Sequence, residues 1–311
     1  GESNGKKIAI IGAGPAGIAC ACEGRTIGYE VDIFEAKDKP SGLTVHGIAP
    51  YKITNEEVLK EVAYLQNQLG FKIKYNAGIT TKEKLKKLEK DYDAIFLGVG
   101  LGNTANLEIE GEERDGVIGA VEFIEELRLK QHLMKVPKKV VVIGGGNTAM
   151  DAASEAARMG ASKTVLAYRN SKEKMKAYGF EYDLAISAGV DSLFNVTPIA
   201  IIGDGKVEGV KFAKTEWVEG KLKTNMNNVF IVRCDLVIKA TGQEKQGTLY
   251  ELIDDLEVDN QTRIIINNGT FQTSNPKYFA GGDAINGGAE VVNAAYDGKM
   301  AAQGMHQWLT K

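Results

Sequence analysis

Two short stretches of this 311-residue chain carry residues suited to gripping a pyrophosphate, IAIIGAGPAG at 8–17 and VVVIGGGNTAMD at 140–151. In the first, Gly12-Ala13-Gly14-Pro15-Ala16-Gly17 fits the pattern G-x-G-x-x-G. Gly12 makes the tight turn, Gly14 lets backbone approach the pyrophosphate, and Gly17 lets a helix pack closely on the preceding strand. The N–H groups at the helix start then face the phosphate charge. About 20 residues on, Glu35 closes the next apolar run, where a carboxylate accepts hydrogen bonds from a ribose 2'-hydroxyl. The expected ligand is a dinucleotide with an unmodified ribose, FAD or NAD.

In the second, Gly144-Gly145-Gly146-Asn147-Thr148-Ala149 fits the G-x-G-x-x-A variant, with Asp151 one turn into the helix that follows. Where the first unit has Glu35, this one has Arg169, followed by Lys172, Lys174 and Lys176 with Glu173 among them. A carboxylate at that place repels a 2'-phosphate, whereas a guanidinium grips it bidentately and an ammonium adds charge. The second turn is therefore expected to favour NADPH over NADH.

Both turns need a strand before them and a helix after them. Lys7 to Ile11 reads as a strand, Pro15 to Gly24 as a helix of small residues and Glu30 to Glu35 as the next strand. A helix from Glu56 to Leu69 closing at Gly70, and strands at 71–75 and 93–99, continue the alternation. After a charged helix at 121–132 the pattern restarts: strand 139–143, glycine turn, helix 148–159, strand 163–168. The stretches VTPIAIIGDGKVEGVKFAKTEW and NVFIVRCDLVIKA read as antiparallel strands, and the chain ends on a strand, a glycine-rich turn and a helix.

The length predicts two domains, and a composition of 43% hydrophobic and 25% charged residues with net charge -3 carries no basic stripe for nucleic acid. No apolar run reaches the roughly 20 residues that span a bilayer. A cytoplasmic protein with no membrane or nucleic-acid partner is expected. The chain opens Gly1-Glu2-Ser3 rather than on Met, the kind of start a cleaved tag leaves, so native residues upstream are expected. Cys20, Cys22 and Cys234 form no C-x-x-C pair and are read as structural; His46, His132 and His306 show no metal spacing, and no metal site is expected.

With the two turns, the segment Ala240-Thr241-Gly242 and the terminal Phe279-Ala280-Gly281-Gly282-Asp283, the chain resembles the flavoproteins with two dinucleotide-binding domains. It is most similar to the flavin-containing part of dihydropyrimidine dehydrogenase and the small subunit of glutamate synthase. The likeness also rests on Gly42-Leu43, GIAPYKI at 47–53, FLGVGLGN at 96–103, and Glu181 after Arg169. It implies an α/β fold of two Rossmann-like domains: an FAD domain at 1–115 and 241–311, with an NAD(P)H domain at 116–240 inserted into it.

The resemblance further implies that FAD is held by Gly12, Gly14, Pro15, Ala16, Gly17, Glu35, Gly42, Leu43, Lys52, Gly98 and Gly100. Gly282, with Asp283 on the ribityl chain, and a helix starting near Ala289, Glu290 and Val291, aimed at the flavin ring, complete that set. NADPH falls to Gly144, Gly146, Asn147, Thr148, Asp151, Arg169, Lys176, Thr241 and Gly242. Ser41 stands where the family has glycine, Ala49 where it has proline, and Asn170 where it has a second basic residue.

The implied chemistry is hydride transfer from nicotinamide C4 to flavin N5, with the rings about 3 to 3.5 Å apart and position rather than a side-chain acid doing the work. In the family, cysteine-rich segments outside this region carry iron–sulfur clusters, so an iron–sulfur domain or subunit is the expected electron acceptor. The competing expectations are a stand-alone ferredoxin or quinone reductase of thioredoxin-reductase-like fold, and a flavin-bound scaffold or NADPH sensor without turnover.

Overall fold

The computed structural model describes residues 2–130 and 133–311; the expected end of the charged helix, at His132, lies outside them. Contacts divide the chain into two units, one made of the chain up to Val45, Ile53–Gly102 and Lys245–Lys311, the other of His46–Lys52 and Asn103–Glu244.

In the first unit, β1 (Lys7–Ile11) leads into α1 (Pro15–Ile27), which starts on a proline at no hydrogen-bond cost because first-turn N–H groups lack helix partners anyway. The helix ends at Gly28, and β2 (Glu30–Phe34) returns beside β1. A one-turn helix α2 (Leu43–His46) marks the division between the units, and α3 (Asn55–Leu69) starts on a Thr54/Glu57 capping box. Then come β3 (Lys72–Lys74), α4 (Lys82–Asp91) and β4 (Ala94–Leu97).

The strands form one parallel sheet with β13 (Tyr278–Ala280), in the order β13-β4-β1-β2-β3. The short helices α8 (Gly247–Tyr250) and α9 (Asp283–Asn286) precede α10 (Val291–Leu309), which packs on α1. The two helices approach so closely that a Cβ at Gly298 would lie 1.9 Å from the Ala16 carbonyl oxygen.

The second unit repeats the plan. It comprises β5 (Val117–Gly119), α5 (Ala120–Lys130), β6 (Lys139–Gly144), α6 (Asn147–Arg158), β7 (Lys163–Tyr168), α7 (Gly179–Ser187) and β8 (Val190–Phe194). These are followed by β9 (Val196–Ile202), β10 (Gly209–Val218), β11 (Lys221–Arg233) and β12 (Leu236–Ala240). One parallel sheet runs β5-β12-β6-β7-β8, and an antiparallel sheet runs β11-β10-β9.

NVFIVRCDLVIKA is thus not one antiparallel stretch. Its first part ends β11, whereas LVIKA returns as β12 between β5 and β6 in the parallel sheet. The reason is burial: Val237, Ile238 and Lys239 are all buried, as a central parallel strand demands, while much of β11 faces solvent.

The division also runs differently from the expected boundaries at 115/116 and 240/241. Residues 103–115 join the second unit because Leu107 and Ile109 pack on its core and Glu112 pairs with buried Lys239 at 2.6 Å. Residues 46–52 join it through polar contacts described below, and 241–244 through the bond from the Glu244 N–H to the Asn103 carbonyl.

Candidate dinucleotide sites

In the first unit β1 delivers Gly12 with φ +100°, and a Cβ there would lie 2.4 Å from the Gly98 carbonyl oxygen. A Cβ at Gly17 would lie 2.0 Å from the Gly12 oxygen, so α1 sits as close to the turn as backbone allows. At Gly14 the nearest atom to such a Cβ is 3.8 Å away, and no side chain caps α1, which leaves its first-turn N–H groups to an outside anion.

Glu35, 8% exposed, accepts the Ala13 N–H at 2.7 Å and the Lys37 N–H at 2.8 Å. Each carboxylate oxygen keeps a further lone pair for a hydroxyl. Ser41, at a place where the family has glycine, adopts φ +77° and donates its N–H to the Ala13 carbonyl at 2.6 Å. Gly42 beside it lies against Gly14, Leu43 starts α2, and Gly98 fits between the Phe96 ring and Gly17. A Cβ at Gly100 would meet only open space.

At the end of β13, Gly282 donates its N–H to Asp297 at 3.0 Å, and Asp283 accepts the Ala289 N–H at 3.0 Å. Burial pushes both carboxyls above the usual range. Glu290 caps α10, whose first residue is Val291. All the residues assigned to FAD from the sequence, Lys52 excepted, fall in this first unit.

In the second unit a Cβ at Gly144 would lie 2.3 Å from the Ala240 carbonyl at the end of β12, so Thr241 and Gly242 leave that strand beside the turn. At Gly146 a Cβ would meet nothing within 4 Å, and no side chain caps α6, which opens with Asn147 and Thr148. The loop after β7 folds back over this turn. The Tyr168 ring lies against Gly145, and the N–H groups of Lys176 and Ala177 both donate to the Gly145 carbonyl, at 3.1 and 3.0 Å.

The basic run is split by its surroundings. Lys172 lies over the Tyr182 ring at 4.5 Å and Lys174 over the Trp217 ring at 3.5 Å. Asn170 joins the Tyr168 hydroxyl (3.2 Å) to Trp217 Nε1 (3.1 Å), so this departure from the family pattern locks the loop. All four basic residues are exposed, but only Lys172 and Lys174 lie on rings.

Behind the turn lies a polar cluster that the sequence did not assemble. Asp151 and Glu181 are each 5% exposed, and the Lys52 ammonium reaches both, at 2.8 and 2.7 Å. The Tyr51 hydroxyl lies 2.9 Å from Asp151 Oδ1 and 3.2 Å from Glu181 Oε2, its one proton shared between the two carboxylates. Burial raises the Asp151 carboxyl. Burial also works against the Lys52 charge, but the two carboxylates outweigh it and hold the ammonium above its usual value. Two buried carboxylates need a counter-charge.

Grouped with the flavin residues from the sequence, Lys52 therefore sits in the second unit, on Asp151. Its segment is fixed there also by His46, 2.9 Å from Glu125, and by Arg128, which donates to the Ile48 carbonyl. Tyr51, Tyr168 and Asp297 were missed by sequence reasoning. Tyr51 lies in the quoted GIAPYKI, but nothing in its type or spacing names a partner 100 residues away.

The pattern of the pyridine nucleotide-disulphide oxidoreductase family matches residues 6–298. The chain belongs to that family. It is an oxidoreductase, similar over nearly its whole length to the small chain of the NADPH glutamate synthase of Escherichia coli K12. The two are 37% identical across 99% of this chain and 70% of that one. The beta subunit of the NADP(+)-dependent formate dehydrogenase of Moorella thermoacetica is 34% identical over 99% of this chain, which spans only 44% of that relative. FprA from Mycobacterium tuberculosis, solved in complex with NADPH, shares the fold with TM-score 0.80 and 20% identity, over 98% of this chain and 84% of FprA.

Within a family named for disulphide chemistry, the three thiols here are poorly suited to it. Burial pushes Cys20 well above the ordinary thiol value, Cys22 to about 11 and Cys234 to about 12, so none is a thiolate at neutral pH. Among the described residues no group of three His, Cys, Asp or Glu could hold a metal ion, and no helix is long and apolar enough to cross a membrane.

Proposed function

We propose that the chain is the NADPH-oxidising flavin module of a larger reductase, passing electrons from NADPH through FAD to an iron–sulfur domain or partner subunit. The observation that carries this is the opposite chemistry closing two otherwise alike turns, a buried Glu35 carboxylate tied to the first and an exposed Arg169 and Lys176 flanking the second. The fit is one of space as well as charge: neither Gly14 nor Gly146 has a neighbour that fills the place of a Cβ.

When bound, FAD would take two electrons at once from NADPH and release them singly, which suits an iron–sulfur acceptor. The chain's part is to hold and orient. In the first unit the α1 N-terminus would bind the pyrophosphate, Glu35 the adenosine ribose, and Asp283 the ribityl hydroxyls. In the second, the α6 N-terminus would bind the pyrophosphate, while Arg169 and Lys176 would grip the 2'-phosphate. The names of two relatives, a small chain and a beta subunit, both tied to NADP, support a partner.

The test is anaerobic mixing of the purified yellow protein with NADPH. Rapid bleaching of the visible flavin band, on the order of 10 per second, is expected. Bound flavin that never bleaches would indicate a scaffold or sensor, and a colourless protein that cannot be reconstituted with FAD would overturn the reading.

A further inference from the structure

The loop that folds over the second turn ends in two aromatic rings. Tyr178, 49% exposed, and Phe180, 61% exposed, stack on each other with centroids 5.6 Å apart and planes within 8°. Exposed rings of this size are not explained by the core of the unit. The backbone here is tied to α6, because the Tyr178 N–H donates at 3.0 Å to Oδ1 of Asn147, the first residue of α6, and Tyr178 is the N-cap of α7. Two residues earlier, the Lys176 N–H is bonded to the Gly145 carbonyl.

Between the rings stands Gly179, whose φ is not positive and where a Cβ would meet nothing within 4 Å. Neither backbone strain nor packing within the protein therefore calls for glycine at a position where almost any other residue favours a helix more. Gly146 is in the same situation, with φ -101° and open space. Gly146 is the N-cap of α6, and Gly179 follows Tyr178, whose N–H is bonded to the first residue of α6, so neither position puts a side chain beside that helix start.

We infer that Tyr178 and Phe180 form a stacking platform for the adenine ring of the dinucleotide bound by the second unit, with Gly179 leaving room for the base. This rests on the reading of that unit as the NADPH site. A flat base presents a π face that aromatic side chains bind whatever its edge pattern. Adenine is the ring selected because it is carried on the same ribose as the 2'-phosphate assigned to Arg169 and Lys176, and Lys176 is two residues from Tyr178.

The probe is 2',5'-ADP, which has the adenine and the 2'-phosphate but no nicotinamide, titrated calorimetrically into the intact protein. Tyr178→Ala and Phe180→Ala should each weaken it roughly tenfold, and Tyr178→Phe should restore binding to within about twofold of native. Gly179→Leu should weaken it similarly with the melting temperature unchanged. Native affinity in both alanine variants overturns the platform. So does weakening of NADPH with 2',5'-ADP unaffected, which would put the nicotinamide on these rings. If the native protein binds neither 2',5'-ADP nor NADPH, the NADPH reading falls and the platform with it; native binding with unchanged variants removes the platform alone.

Discussion

At the first turn a buried carboxylate grips the turn's own backbone, and at the second an exposed guanidinium opens a loop held down by tyrosine, tryptophan and asparagine. The third motif position differs as well. Gly17 has no room for a Cβ, whereas the matching Ala149 has one and is fully buried. So do the flanking strands: β4 is apolar throughout, while β12 carries the buried Lys239 paired to Glu112. One local motif thus stands in two settings that differ in the neighbours rather than in the glycines, and the proposed ligand preference rests on those neighbours.

The sharpest way to break this comparison is to exchange demands at the third position. Gly17→Val is expected to destabilise the first unit by more than about 3 kcal/mol, lowering Tm by roughly 10 °C and abolishing flavin retention. Ala149→Gly should cost only about 1 kcal/mol. Thermal melts followed by far-UV circular dichroism and flavin absorbance read both; a Gly17→Val melt within about 2 °C of native would mean that α1 can retreat from the turn.

The strand difference predicts the next largest effect. Burial disfavours the Glu112 charge, but Lys239 and the Leu107 and Glu108 N–H groups outweigh it and hold the carboxyl below its ordinary 4.5. A lowered folded value means that the stabilisation is present above pH 4.5 and is lost as pH falls through the folded value. Glu112→Gln should therefore cost about 3 kcal/mol at neutral pH and progressively less in acid, measured by urea unfolding across pH. A loss independent of pH would show that shape, not charge, matters there.

Ligand preference is the subject of the two smaller effects. Arg169→Glu should weaken NADPH by about a hundredfold while changing NADH by no more than about threefold, read from Kd or KM. Equal loss for both would show that Arg169 does not read the 2'-phosphate. Within the basic run, Lys176→Ala should weaken NADPH by about five- to tenfold, and Lys172→Ala or Lys174→Ala by less than about twofold, because those ammoniums rest on Tyr182 and Trp217. Parallel titrations of the three variants give the ranking.

The turns, the strands and helices around them and the switch from Glu35 to Arg169 were legible because each is a local pattern of period, small residues and charge. The segment 46–52 was not. GIAPYKI belongs by sequence to the stretch before α3, yet its tyrosine and lysine are bound by carboxylates on α6 and α7. Likewise LVIKA reads locally as one more strand in a run of antiparallel ones, and only the burial of both its faces sends it back to the parallel sheet.

By itself the sequence determined that there are two glycine-rich turns between a strand and a helix, that Glu35 closes the strand after one and Arg169 the strand after the other, and that no C-x-x-C pair exists, since these depend on residue type and short spacing. The tertiary structure alone decided that Lys52 neutralises Asp151 and Glu181, that Asn170 locks the loop, and that two of the four basic side chains lie on aromatic rings. Those outcomes depend on which distant groups share a low-dielectric space. A buried charge is paired by whatever cation the fold brings near it, and no spacing along the chain records that encounter.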